Sequence, residues 1–392
     1  MTTLDDRQAA RFTGVSIVRD GDGYVLGNAR TGEYVIVPEI GGQVMRWLQE
    51  GTDVEECTAR AEQFAGQPVD VAGFLDGLAA AGVLTSADVS EPKPARWQVI
   101  AGRLLFGKVG LTVQSSLAIT AVVAMVITPS LRLAYTDLIV SSVPLVSLVA
   151  VTFLGLASGL VHEVAHLLAA AAKGVRGRVT ISRRLLNLAY QTDLTTLWGL
   201  PRRDRIVPLL AGMLSDAATV GVLAVVQLSW PSDPSSPIAH LLKALLFLKA
   251  TGIVVQLQVY MRTDVYALFV AVTGCRNLWD TKGALARRAI RRATPEDLAL
   301  LSSVGRRDLV CARIYLLLYF PGVTWTVWYF AAYGVPSMYR IATMAVDAVR
   351  DAGVLSAPGV AGVAALVLMA ATTTFLLRGL VRTGLRLLRL LT

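Results

Sequence analysis

Residues 158–174 read SGLVHEVAHLLAAAAKG. The stretch is apolar enough to lie within a bilayer, yet it carries His162, Glu163 and His166. Ionisable side chains are costly inside a spanning segment, and where they persist they mark sites or polar pathways. The alternative is that they only join helices through interhelical hydrogen bonds. The rest of the chain weighs on that choice.

Working outward, apolar runs long enough to span the hydrocarbon as helices cover about 109–129, 144–172, 206–229, 238–260, 309–333 and 358–378. Their connections differ in charge. Residues 173–205, 275–307 and the tail are rich in Arg, while 229–237 has neither Lys nor Arg. Positive charge marks cytoplasmic loops. The sequence therefore predicts a polytopic α-helical protein of the cell membrane with about six transmembrane helices and both termini cytoplasmic. The hydrophobic fraction of 54% fits this class, and the net charge of +9 reads as a topology signal rather than a nucleic-acid footprint. Met1–Phe12 is polar, so the first membrane segment is expected to act as the insertion signal. The tail RGLVRTGLRLLRLL has Arg at helical spacing and is expected to lie on anionic membrane lipids. Cys57, Cys275 and Cys311 show no CxxC spacing, so neither disulfides nor a cysteine metal site is expected.

Residues 1–98 have an ordinary soluble composition. VSIVRDG, GYVLGN and GEYVIV are β-branched runs parted by Asp-Gly and Thr-Gly turns and read as strands. Three helical stretches follow. The first opens at Pro38, and the other two open on Asp caps. The expected division is a small α+β domain over 1–88, a linker over 89–100, a membrane core over 101–274, a cytoplasmic basic loop over 275–307, and C-terminal helices with a basic tail over 308–392.

On a helix, residues four apart share a face, so His162 and His166 can offer two imidazole nitrogens to one Zn2+. Glu163 beside them can take a proton from a water and return it to a leaving amine. Seven residues separate His166 from Lys173, roughly 10 Å at the helical rise, so the motif is expected within the bilayer near the cytoplasm. A catalytic zinc needs a third protein ligand and an open position. His240, the only other histidine, falls at the opposite end of a span. That leaves the carboxylates Asp216 and Asp264, with Asp264 otherwise readable as an interfacial partner of Arg262. Lys243 and Lys249 lie within the fourth apolar run, as partners for Asp216 or as part of a polar path. GRVTISRRLLNLAYQTDLTTLWGL after the motif is expected to be a hairpin beside the site or a surface loop, with no role for Asp193.

The membrane-embedded HExxH, the Gly212–Asp216 stretch and Asp264 before a further apolar segment resemble the site-2 protease family of intramembrane zinc metalloproteases, over about 100–290. That family has Gly-Pro-x-x-Asn where this chain has Gly212-Met213-Leu214-Ser215-Asp216, and Asp-Gly where this chain has Asp264-Val265. TDVYALF is similar to the peptide zinc metalloprotease branch, in which Asp-Gly-Tyr follows an extended piece. The resemblance implies His162, His166 and Asp264 as metal ligands and Glu163 as the catalytic residue. Asp216 and Lys249 are the candidates, from their own positions in the apolar runs, to stand behind the ligands. Residues 14–85 resemble PqqD-like winged-helix domains, which bind the leaders of ribosomally made peptides; the excess of acids over bases in 1–92 argues against nucleic acid. Together the two likenesses imply a zinc metalloendopeptidase acting on a precursor peptide or membrane-protein substrate, alongside a peptide-modifying enzyme or an exporter. The alternative is an inactive membrane scaffold that binds such a peptide.

Overall fold

The computed structural model of the chain describes residues 12, 14–84, 93–184, 187–230, 233, 235–275 and 277–389. Residues 1–11, the positions 89–92 of the expected linker and the end of the tail lie outside the described residues.

The N-terminal unit begins with an antiparallel sheet of β1 (Ser16–Asp20), β2 (Gly23–Asn28) and β3 (Glu33–Pro38), in that order. Asp20 pairs with Gly23 across a two-residue turn in which Gly21 takes φ +67°, a conformation that favours glycine. Three helices follow: α1 (Glu39–Gln49), α2 (Val54–Ala65) and α3 (Val71–Ala80). The Asp53 side chain accepts from the Glu56 amide at 2.7 Å and Asp70 from Gly73 at 2.8 Å, so both expected caps form. Alternation sorts the sheet into two faces. Tyr24, Leu26 and Val37 enter a core with Val44, Met45, Leu48 and Leu78. Val25, Tyr34 and Ile36 belong to the other face, which lies over Trp198, Val270 and Gly274 of the following part across a pocket of about 330 Å3.

That following part is helical: α4 (Arg96–Phe106), α5 (Lys108–Ile127), α6 (Pro144–Ala172), the hairpin β4 (Arg178–Arg184) and β5 (Asn187–Asp193), then α7 (Arg202–Ser229), α8 (Pro237–Gln256) and α9 (Asp264–Thr273). After these come α10 (Leu278–Ala289), α11 (Pro295–Ser303), α12 (Arg306–Tyr329), α13 (Val335–Ala352) and α14 (Ala357–Arg389). Among the described residues six helical stretches are long and apolar enough to cross a membrane: α5, α6, α7, α8, α12 with its continuation α13, and α14 up to Phe375. They fall where the apolar runs lie.

The boundaries depart from expectation in four places. The segment assigned to a linker is helical from Arg96, because Phe106 and its neighbours pack on Ala165, Leu168 and Ala169 of α6. The fourth span stops at Gln256 rather than near 260. The basic segment 275–307 is two helices, not a loop, joined by the Arg287–Asp297 pair at 2.7 Å. Residues after 334 stay helical to Ala352, through one π turn over Phe330–Gly334. The backbone of α14 continues to Arg389; which way the tail's arginines point lies outside the described residues.

A charged clasp joins the two parts. Arg205 is 1% exposed and spends its guanidinium on Asp20 Oδ2 at 2.9 Å and the Trp198 carbonyl at 3.1 Å, with Nε on the Leu200 carbonyl at 2.7 Å. Arg202 also binds Asp20, and Arg307 reaches Asp22 at 3.2 Å. The three cysteines are buried and free.

Candidate metal centre

The motif lies in the last third of α6, and His162 and His166 are both buried there. Each imidazole is fixed from behind. His162 Nδ1 is 2.7 Å from Asp216 Oδ2, and His166 Nδ1 is 2.7 Å from the Pro208 carbonyl, both on α7. A carboxylate and a carbonyl only accept, so Nδ1 carries the proton in both rings. Both Nε2 atoms then turn lone pairs to the same point, 3.2 Å from each other.

Asp264, the first residue of α9, meets them there. Its Oδ2 lies 2.9 Å from His162 Nε2 and 3.0 Å from His166 Nε2. The three ligand atoms lie within 4.8 Å of one another and could hold a metal ion. The donor set fits one: two imidazole nitrogens and a carboxylate oxygen in contact repel each other unless a proton or a metal cation stands among them. The sequence left two aspartates open. The structure brings Asp264 to the Nε2 side and leaves Asp216 on the Nδ1 side. Arg262 does not pair with Asp264; its guanidinium lies 4.1 Å over the Trp279 ring.

The turn that delivers Asp264 explains why α8 stops early. Thr263 Oγ1 donates to the Gln256 carbonyl at 2.6 Å, and the Gln256 side-chain oxygen accepts from the Asp264 amide at 3.1 Å. Arg262 between them takes φ +54°, rare for a residue with a Cβ. The Gln256 amide nitrogen is then 3.2 Å from His162 Nε2. The irregular turn lines a cavity: His162, Glu163, Gln256 and Thr263 border a cleft of about 820 Å3.

Packing on α7 is equally specific. A Cβ on Gly212 would fall 2.4 Å from His162 Nε2 and 2.5 Å from His166 Nε2, so only glycine admits the imidazoles. One turn on, buried Asp216 also binds Lys249 of α8, whose Nζ donates to the Ser158 carbonyl at 3.0 Å. Lys249, not Lys243, is thus the lysine that answers Asp216.

The segment after the motif is a hairpin in full antiparallel register from Arg178↔Asp193 to Arg184↔Asn187. Its second strand is tied to the motif: the Thr192 amide donates to Glu163 Oε2 at 2.7 Å, and Thr192 Oγ1 to the Glu163 carbonyl at 2.9 Å. The Thr192 amide therefore points off the ladder, and by antiparallel alternation so do the backbone groups of Tyr190. Tyr190 and Gln191 line the cleft. Asp193 accepts from Thr195 at the strand's end, a turn role.

Sequence reasoning missed Gln256, Thr192 and Thr263. No motif marks them, because each acts through a contact made only when distant segments meet. His240, set aside because it falls at the opposite end of a span, lines a different cavity. Comparison of the chain with protein-family models, curated proteins and solved structures returns no match, so this centre is read from its own geometry.

Proposed function

We propose that the protein is an intramembrane zinc metalloendopeptidase that hydrolyses a peptide bond in a ribosomally made precursor peptide or membrane-associated substrate, with the N-terminal domain capturing the peptide's leader. The observation that carries this reading is the convergence of His162 Nε2, His166 Nε2 and Asp264 Oδ2, with His162 and the neighbouring Glu163 lining one cleft. His162, His166 and Asp264 would hold the ion. Zinc, when bound by nitrogen and oxygen ligands, supplies Lewis acidity that lowers the pKa of a water and polarises a carbonyl.

The remaining chemistry belongs to the chain. Glu163 takes the proton of the attacking water and delivers it to the leaving amine. One of its oxygens is held by the Thr192 amide, which fixes the carboxylate at the cleft wall. The same strand offers outward backbone groups along which an extended substrate can pair. Asp216 and Lys249 keep His162 in the tautomer that leaves Nε2 open. The N-terminal sheet supports the capture step by its place: it is clasped to the start of α7 and lies over the end of α9, whose other end is Asp264.

The test is co-expression with candidate precursor peptides, following peptide masses, with Glu163→Gln as control. Wild type is expected to give cleaved products that Glu163→Gln does not. Identical products from both, with every peptide offered, would leave the scaffold reading in its place.

A further inference from the structure

A second cavity of about 790 Å3 lies among residues that the metal centre does not use. It is bordered by Lys243 and His240 near the start of α8, Arg340 on α13, and the stretch between α5 and α6 that carries Ser130, Asp137 and Ser141. Lys243 is thirteen residues from Gln256 along α8, about 20 Å at the helical rise, so this cavity is at the far end of the bundle from the metal centre.

Its charges are unbalanced. The lining carries two cations, Lys243 and Arg340, and a single carboxylate, Asp137; Lys243 Nζ also donates to the Ser130 carbonyl. That carboxylate is already used: Oδ2 accepts from the Ala134 amide at 2.9 Å, and Oδ1 is 3.8 Å from Lys243 Nζ, a long contact. Among the described residues no carboxylate is paired with Arg340. Hydroxyls and the His240 ring add donors. The surroundings are apolar and exposed. Ile238, beside the lining residue Ala239, is 66% exposed, and Ile127 at the end of α5 is 70% exposed. Donors and cations inside, with bare hydrocarbon at the border, is the chemistry of a site for a charged head on apolar tails.

We propose that this cavity binds the phosphate group of an anionic phospholipid, held between Lys243 and Arg340 with the acyl chains against the apolar border near Ile127 and Ile238. The site is independent of the metal centre and of any peptidase activity.

The test uses the full-length protein in detergent and native mass spectrometry, with phosphatidylglycerol or phosphatidylcholine added. Wild type is expected to retain one phosphatidylglycerol in preference to phosphatidylcholine. Arg340→Gln and Lys243→Gln should each lower that preference roughly fivefold, the effect of one cation at a lipid surface. Arg340 is exposed, so its variant keeps the test sound even if Lys243→Gln misfolds. An unchanged preference in Arg340→Gln would overturn the proposal and assign lipid retention to the basic segments elsewhere. Displacement of the lipid by millimolar inorganic phosphate would also overturn it, by making the site one for a free anion.

Discussion

Two buried aspartates organise this molecule, and they do opposite things. Asp20 sits between Arg205 and Arg202 at the junction of the N-terminal sheet with the helices. Asp216 sits between Lys249 and His162 inside the bundle. Each gathers two positively charged or protonated partners out of water, which is costly unless every group is bonded. The Asp20 network is closed. Arg205 spends Nε and both terminal nitrogens on protein oxygens. The Asp216 network is open at one end, because holding His162 Nδ1 leaves Nε2 aimed at His166 and Asp264. A closed network fastens two parts together, whereas an open one prepares a ligand.

Substitutions can break or sharpen that contrast. The largest effect is expected from Asp264→Ala, which removes the carboxylate from the open end. The purified variant should retain no zinc by elemental analysis while its secondary structure is kept; full retention would show that the ion is held elsewhere. Arg205→Ala attacks the closed network and leaves buried Asp20 with one partner fewer. It should cost about 3 kcal/mol of stability, as removal of one member of a buried pair does, seen as earlier thermal unfolding with zinc content unchanged at low temperature. Zinc loss without destabilisation would erase the distinction between the two networks. Asp216→Asn keeps the shape behind His162 but loses the charge. Weakening of zinc affinity by about 10–100-fold is expected, as for other groups that orient a metal-binding histidine. An effect as large as that of Asp264→Ala would mean that Asp216 ligates directly.

The smallest effect concerns a pair between α10 and α11 in which Asp297 is buried but its partner Arg287 is open to solvent. The Arg287 hydrogen bond holds the Asp297 carboxyl down at about 2. A depressed carboxylate stabilises the fold above its unfolded pKa, near 3.9, and that contribution fades as pH falls toward about 2. The melting temperature should therefore drop between pH 4 and 2 by more in wild type than in Asp297→Asn. Equal drops would show that the pair contributes nothing.

Much of the architecture was legible because it rests on repetition. The apolar runs, the β-branched strands with Asp-Gly and Thr-Gly turns, and the Asp53 and Asp70 caps are local patterns, and each formed where it was read. His162, Glu163 and His166 were legible for the same reason, since helical spacing alone puts both imidazoles on one face. The ends of elements were not. Helix α8 stops at Gln256 because Thr263 and Asp264 fold back onto that residue, and α4 begins at Arg96 because α6 offers it a surface. Gly212 stood in a stretch already singled out, but its reason, the approach of two imidazoles, shows only when α6 and α7 are packed together.

The sequence by itself determined that two histidines share a helix face, with a glutamate next to the first, within apolar surroundings, since spacing and composition are properties of one segment. It left two aspartates, 48 residues apart, as candidates to complete the group. Only the tertiary structure separated them. The two nitrogens of an imidazole lie on opposite sides of the ring, and which aspartate meets which nitrogen depends on how α7 and the turn before α9 pack against α6.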